Sequence, residues 1–292
     1  MRVWLIKGLL HLLAKLSLPT VHRFATGLGW FIMLLPNTAL KRVTRLNIQL
    51  CFPLLSASEQ EILVKKSLIE TCKAFSELGI LWLRSPAQVL QLVKKVTGEH
   101  YLQEALQQGR GGILLTPHLG AWEMAGLYAS IHYPLTALYR PPKLSGLNAL
   151  IRQARERAGG QYVPTNRQGV KSLFQALQQQ RVVGILPDQV PTEAGIFAPF
   201  FGKPAYTMIL VSRLAQRKNV PVIFTYAERL PKGTGFHLHF LPAPPDISAT
   251  QLETAVRALN QGIEYCVQQC PTQYQWSYKR FKKQPSDYPA IY

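Results

Sequence analysis

The chain has 292 residues, 47% of them hydrophobic, enough to build a sizeable core as one large α/β domain or two small ones and to exclude a disordered polymer. Thirty-three Lys and Arg stand against fifteen Asp and Glu, a formal net charge of +18. An anionic partner or substrate is therefore expected: nucleic acid, a phospholipid surface, a phosphorylated lipid or an acidic protein.

The first eighteen residues set Arg2, Lys7, His11 and Lys15 among Val3, Trp4, Leu5, Ile6 and several leucines, the pattern of a basic amphipathic helix. A secretory signal would carry an uninterrupted apolar core and a small-residue cleavage site. The next apolar run, Phe24 to Leu35, ends at Pro36, short of the ~20 residues that cross a bilayer. We read residues 1–36 as an interfacial membrane anchor, with a buried helical hairpin as the competing reading, and residues 37–292 as a catalytic domain. Lys41, Arg42 and Arg45 follow, where cations lie at the headgroups of an anionic leaflet or simply on a solvated helix face. Ser56 to Glu59 offers capping chemistry for a helix running to about Trp82, and Tyr101 to Gln108 reads as a helix stopped by Gly109.

Gly112 to Thr116 is a short apolar run of the kind that forms a buried parallel strand. A turn holding His118 follows, then a helix from about Gly120. Glu123 stands five residues beyond His118, about 140° away on a continuous helix, so His118 must lie in the turn and Glu123 in the first helical turn. Leu135 to Tyr139, Gln161 to Val163, Val182 to Leu186, Val220 to Tyr226 and Gly235 to Leu241 read as strands, separated by helices over Val170 to Gln179 and Met208 to Arg217. Together these predict an α/β fold, a single domain with a mixed, largely parallel sheet flanked by helices.

Ligands of such sheets gather at the carboxyl ends of the strands, which places Asp188 and Gln189 on the same rim as His118 and Arg140. A plain turn or helix cap is the competing role for Asp188. Arg140, Arg152, Arg155 and Arg157 form a basic segment suited to phosphate, since a guanidinium fork binds it bidentately, whereas Lys143 reads as solvated. The stretch from Gly195 to Thr207, with Phe197, Phe200 and Phe201 between glycines and prolines, reads as an aromatic loop suited to an amphipathic ligand. His237 and His239 share one face of a strand, but no third ligand is evident, and surface alternation is preferred to a metal site. Cys51, Cys72, Cys266 and Cys270 show no metal-type pairing and read as buried small hydrophobes in a reducing compartment. The tail from Pro271 to Lys283 mixes aromatics with cations, as nucleic-acid binders and membrane-interface segments do.

A histidine in a strand-to-helix turn, a carboxylate behind it and no Ser or Cys nucleophile in a recognisable elbow suggest that His118 deprotonates a substrate hydroxyl, which attacks an activated acyl group. Glu123 is expected to orient the imidazole and stabilise the imidazolium.

Gly109-Arg-Gly-Gly-Ile-Leu-Leu-Thr-Pro-His-Leu-Gly-Ala-Trp-Glu123, Tyr139-Arg140-Pro141, Pro187-Asp188-Gln189, the Phe-Phe-Gly-Lys-Pro-Ala stretch and Gln273-Tyr274-Gln275-Trp276 with Lys279-Arg280-Phe281-Lys282 carry a resemblance. The chain resembles the bacterial lipid A biosynthesis acyltransferases along nearly its whole length. The resemblance implies a glycerolipid-acyltransferase-like fold and transfer of a fatty acyl chain from acyl carrier protein to a hydroxyacyl chain of a phosphorylated glucosamine disaccharide. It further implies the cytoplasmic face of a bacterial inner membrane as the location, no cofactor beyond the acyl donor and no nucleic-acid partner. His118 and Glu123 match the family's His-x4-acid pair, and Arg155 matches an arginine at its active site. Ala121 stands where the family often has Asn. Arg140, Arg155, Arg157, Asp188 and Gln189 are then expected to bind substrate, with Trp122, Phe197, Phe200 and Phe201 lining the acyl chain. The alternatives are the same reaction on another lysophospholipid or aminolipid, donation from coenzyme A, a basic nucleic-acid-binding protein, and a membrane-bound scaffold without activity.

Overall fold

Short apolar runs that alternate with amphipathic segments form a sheet covered on both faces. The computed structural model describes residues 2–36, 38–142, 144–216 and 220–292, and of Arg2 only its backbone. Lys143, read as solvated, and Arg217, the expected end of a helix, lie outside the described residues.

The chain opens with six helices, α1 (Arg2–Lys15), α2 (Leu18–Leu34), α3 (Ala39–Cys51), α4 (Ala57–Ser76), α5 (Leu78–Leu83) and α6 (Pro86–Leu90). There follow β1 (Val93–Thr97), α7 (His100–Gln107), β2 (Gly112–Leu115), α8 (Trp122–His132), β3 (Leu135–Tyr139), α9 (Asn148–Glu156), β4 (Gln161–Pro164), α10 (Arg167–Gln178) and β5 (Val182–Ile185). The last part holds β6 (Gly195–Phe200), β7 (Lys203–Met208), α11 (Leu210–Gln216), β8 (Val222–Arg229), β9 (Phe236–Pro242) and α12 (Leu252–Gln269). Side-chain caps fix several helix starts: Ser17, Thr38 and Asn166 accept from backbone N–H groups, and Ser56 forms a reciprocal box with Glu59.

Seven strands form one sheet in the order β1-β9-β8-β2-β5-β3-β4. Every neighbouring pair is parallel except β8 with β9, so β9 and β1 run against the other five. Ile113 and Leu115 project into a core shared with Leu173 of α10, Leu214 of α11 and Leu259 of α12. Leu114, on the other face, joins Leu102 of α7 and Met124 of α8.

The stretch expected as an aromatic loop is a separate antiparallel hairpin, β6 with β7. Phe201 and Gly202 form its two-residue turn, both at positive φ (48° and 72°), the geometry that matches the twist of paired strands. Prolines at 199 and 204 and glycines at 195 and 202 hid this alternation. All four cysteines are free and buried.

The two amino-terminal helices pack against the body, α1 on α5 and α2 on α4. Leu10, Leu13, Leu18, Val21 and Ala25 are buried, while Trp4, Leu5, Leu9, Leu12, Phe24, Trp30, Phe31 and Leu34 stand exposed. The hairpin therefore buries one stripe and presents a second apolar face outward. Among the described residues no helix is long and apolar enough to cross a membrane.

Candidate active site

β2 and β5 lie side by side with Leu115 opposite Ile185, and each continues through one residue and a proline: Thr116-Pro117-His118 and Leu186-Pro187-Asp188. Thr116 N–H donates to the Ile185 carbonyl at 3.0 Å, which carries the parallel register past the strand ends. Equal offsets bring His118 and Asp188 face to face. Asp188 Oδ1 accepts from the His118 ring at Nδ1 (2.8 Å), and Oδ2 accepts from the His118 backbone N–H, also at 2.8 Å. Burial alone would push the Asp188 carboxyl up. The charge of His118 and its two hydrogen bonds outweigh that and hold the group below the usual carboxylate value.

An ionised Asp188 places the ring proton on Nδ1 and leaves the lone pair on Nε2. The Gln189 side-chain amide donates to that Nε2 at 3.2 Å and to Gln275 Oε1 at the same distance, a pattern consistent with this tautomer. The imidazole side chain is 15% exposed and Asp188 only 2%, so the base reaches solvent while its orienting partner is sealed.

The turn after His118 is held from three sides. Gly120, at φ +60°, lies against β8, where an added Cβ would stand 2.0 Å from the Ala227 carbonyl oxygen, so no larger residue fits. Ala121 N–H donates to that same carbonyl at 2.7 Å, and Gly120 N–H donates to Gln273 O at 3.1 Å. Arg229 donates to the Gly120 carbonyl at 2.7 Å. Gln275 N–H donates to His118 O at 3.0 Å. Ala121 itself is buried and caps α8 without a side-chain hydrogen bond.

Glu123 does fall in the first turn of α8, but its carboxylate does not accept the His118 ring hydrogen bond expected of it, which goes to Asp188. It turns toward α5 and α9, where it accepts from Trp82 Nε1 (3.0 Å) and bidentately from Arg155. Burial would raise its pKa; the Arg155 charge, the hydrogen bonds from Arg155 and Trp82, and the His118 charge lower it. Asp188, expected to touch substrate, instead bonds the His118 ring and backbone.

A histidine with a buried carboxylate behind it, at the carboxyl ends of parallel strands, has the geometry to exchange a proton with a hydroxyl or similar group. Residues 1–283 match the family described as bacterial lipid A biosynthesis acyltransferase. The chain belongs to that family. It is 27% identical over 291 residues to the lipid A biosynthesis lauroyltransferase of Escherichia coli K12, covering 99% of this chain and 94% of that protein. To a lipid A biosynthesis acyltransferase of Haemophilus influenzae it is 28% identical over 295 residues, 99% of this chain and 93% of the other. To the lipid A biosynthesis palmitoleoyltransferase of Escherichia coli K12 it is 27% identical over 299 residues, again 99% and 94%. Acyl transfer is its class of reaction.

Within this acyltransferase the remaining expected site residues separate. Arg155 is committed to Glu123, and its guanidinium lies 5.1 Å from the Tyr139 ring centroid and 5.8 Å from that of Tyr162. It is therefore no free phosphate fork. Arg157 donates to the Leu81, Arg84 and Ala154 carbonyls, satisfying acceptors at the carboxyl ends of α5 and α9 and so occupying its own fork. Arg152 pairs with Glu156 on the surface, and Arg140 is exposed just beyond β3. Of the aromatic set, Trp122 stays with the site, its ring 5.3 Å from His118 and 6.3 Å from Phe75. Phe200 and Phe201 belong to the core instead: Phe200 is fully buried against Phe281 and Tyr274, and Phe201 packs on Phe52 and Trp276. Phe197 faces outward on β6 beside Tyr206.

The aromatics of the tail and Arg280 are likewise structural, while Lys279, Lys282 and Lys283 stay exposed. Tyr274, Trp276, Arg280 and Phe281 are buried, Leu119 bridges Tyr274, and Asn47 of α3 donates to the Trp276 and Tyr278 carbonyls at 2.6 and 2.7 Å. Trp82, Gln275, Tyr274 and Arg229 were missed from sequence because each reaches the site across long chain separations. The one available signal was the paired strand endings, Thr-Pro-His and Leu-Pro-Asp.

Proposed function

We propose that the protein transfers a fatty acyl chain from acyl carrier protein to a hydroxyl on an acyl chain of a phosphorylated glucosamine lipid, a lipid A precursor. The observation that carries this reading is the buried Asp188 set behind a solvent-reaching His118, within a chain of this family. His118 Nε2 takes the acceptor hydroxyl proton as the oxygen attacks the thioester carbonyl. The tetrahedral intermediate then collapses, the carbon–sulfur bond breaks, and the imidazolium returns the proton to the departing thiolate. Asp188 holds the tautomer and offsets the positive charge on the ring. Glu123, whose carboxylate feels the His118 charge, supplies a second, more distant negative group while fixing Arg155. Trp122 forms an apolar wall at the base, suited to the acyl chain.

The exposed apolar face of α1 and α2, with Lys7, Lys15 and Arg23 on the same helices, fits an anionic membrane surface, here the cytoplasmic face of a bacterial inner membrane. An acidic carrier protein and a phosphorylated acceptor both suit a net charge of +18. The exposed Arg140 is the arginine of this segment best placed to meet phosphate, since Arg152 is paired with Glu156. Purified protein given acyl-loaded carrier protein and a lipid A precursor should yield a product heavier by one acyl group in mass spectrometry. His118→Asn should not. Product formed from acyl-coenzyme A alone would reassign the donor, and product formed only on another lysolipid the acceptor. Salt-sensitive DNA binding without acyl transfer would favour the nucleic-acid reading.

A further inference from the structure

The two histidines for which sequence offered no third ligand receive one from the fold. In the antiparallel pair β8/β9, Glu228 stands directly across from His237, and Tyr226 across from His239. Glu228, His237 and His239 therefore share one face of the sheet. Glu228 Oε2 lies 3.0 Å from His239 Nε2 and 3.9 Å from His237 Nδ1, and a donor atom from each of the three residues falls within 4.8 Å of the others. Tetrahedral zinc bound at about 2.0–2.2 Å needs donor separations of roughly 3.4 Å. Side-chain rotations of about an ångström supply that.

Two further contacts prepare the imidazoles. His237 Nε2 is 2.8 Å from the Thr97 hydroxyl on β1, so the second ring nitrogen already has its own partner and Nδ1 can point its lone pair at a metal. The His239 ring is stacked on Tyr226 at 4.6 Å and 12°, which fixes its plane. The two imidazole centroids approach to 3.8 Å, a crowding that the single His239–Glu228 hydrogen bond does not require. All three side chains keep some exposure, which gives an ion a path and leaves room for water as a fourth ligand. Lys95, the β1 residue in register with His237, is exposed and free to turn its ammonium into solvent.

We propose that Glu228, His237 and His239 form a divalent transition-metal site of the zinc type, separate from the acyl-transfer machinery. Two imidazoles and one carboxylate suit Zn²⁺, Co²⁺ or Ni²⁺ and not Mg²⁺, which demands an oxygen shell. The ion would clamp β8 to β9 beside Ala227 and Arg229, the residues that hold the Gly120 turn.

The test is zinc titration by calorimetry of the chelator-stripped full chain, with Co²⁺ absorption as a second readout. The expected result is one equivalent bound at micromolar free zinc, tetrahedral Co²⁺ bands, and a melting temperature that rises with zinc. At ~100 times the dissociation constant the unfolding equilibrium should fall about a hundredfold. Glu228→Gln and His237→Ala should each lose the equivalent while retaining the wild-type circular dichroism spectrum, and His118→Asn should keep it. No stoichiometric zinc, or an equivalent that survives in His237→Ala and vanishes in His118→Asn, would overturn the proposal.

Discussion

Among the described residues two imidazole–carboxylate pairs sit in largely buried settings, His118 with Asp188 at 2.8 Å and His22 with Glu77 at 3.0 Å, and their surroundings differ in what each carboxylate is free to do. In the second pair the carboxylate is already claimed: Arg229 donates to Glu77 through Nε and Nη2 at 2.8 to 3.0 Å, and the same guanidinium lies 3.5 Å from Glu70. Glu77 and Arg229 neutralise each other, His22 adds one hydrogen bond, and the cluster ties α2 to α4 and to the Gly120 turn. In the first pair Asp188 accepts from the His118 backbone N–H and ring, with Tyr274 as a further, uncharged partner, and Nε2 meets only the neutral Gln189 amide among the hydrogen bonds described. An orienting carboxylate becomes part of a base when the imidazole is its main partner and the far nitrogen is accessible. A guanidinium lock makes the same chemistry a strut.

The largest expected effect is His118→Asn, which keeps a donor toward Asp188 but removes the base: turnover in the acyl-transfer assay should fall about 10²–10⁴-fold with the melting temperature nearly unchanged. Glu77→Gln should do the reverse. It leaves Arg229 under-compensated in the interior, at a cost of about 3–5 kcal/mol in denaturant titration, with smaller loss of turnover per folded molecule. Its pH dependence has a definite sign. The Glu77 carboxyl, which burial would raise, is held low by Arg229 and His22. Its contribution is therefore fully present above the ordinary value of about 4.3 and is lost as pH falls through the lower folded value. The stability gap between wild type and Glu77→Gln should accordingly be flat at neutral pH and close in acid.

Next in size is Glu123→Gln, which weakens the fork to Arg155 without touching Nδ1 of His118. Its rate loss should be smaller than that of an Asp188 substitution and should be accompanied by a lower melting temperature. The smallest effect on stability, within about 0.5 kcal/mol, is expected for Trp30→Ser with Phe31→Ser on the exposed face of α2. The same double substitution should weaken sedimentation with anionic vesicles, and unchanged partition would remove α2 from the membrane contact.

Much of the sheet was legible because buried strands such as Gly112–Leu115 and Val182–Ile185 are short apolar runs with clean punctuation. The position of His118 in a turn followed from spacing alone. Its partner did not, since two acids were available and helical geometry favoured the nearer in sequence; the decision came from β2 and β5 being neighbours in register. The β6/β7 hairpin was hidden by its prolines and glycines, and the tail by its cations. Arg280 can be buried because Tyr206 O and Thr207 Oγ1 accept hydrogen bonds from its guanidinium, a pairing that no local pattern announces. Arg155 and Arg157 read as phosphate binders for the same reason: charge is visible in a sequence, but the carboxylate or helix end that consumes it is not.

In the proposed mechanism Asp188, and not Glu123, sets the His118 tautomer. The direct measurement is single-turnover acyl transfer from loaded carrier protein by Asp188→Asn, whose amide would donate to Nδ1 and shift the proton to Nε2. The chemical step should be slower by about 10²–10⁴-fold in a normally folded protein, beyond the loss seen in Glu123→Gln. Near-wild-type transfer by Asp188→Asn would contradict it.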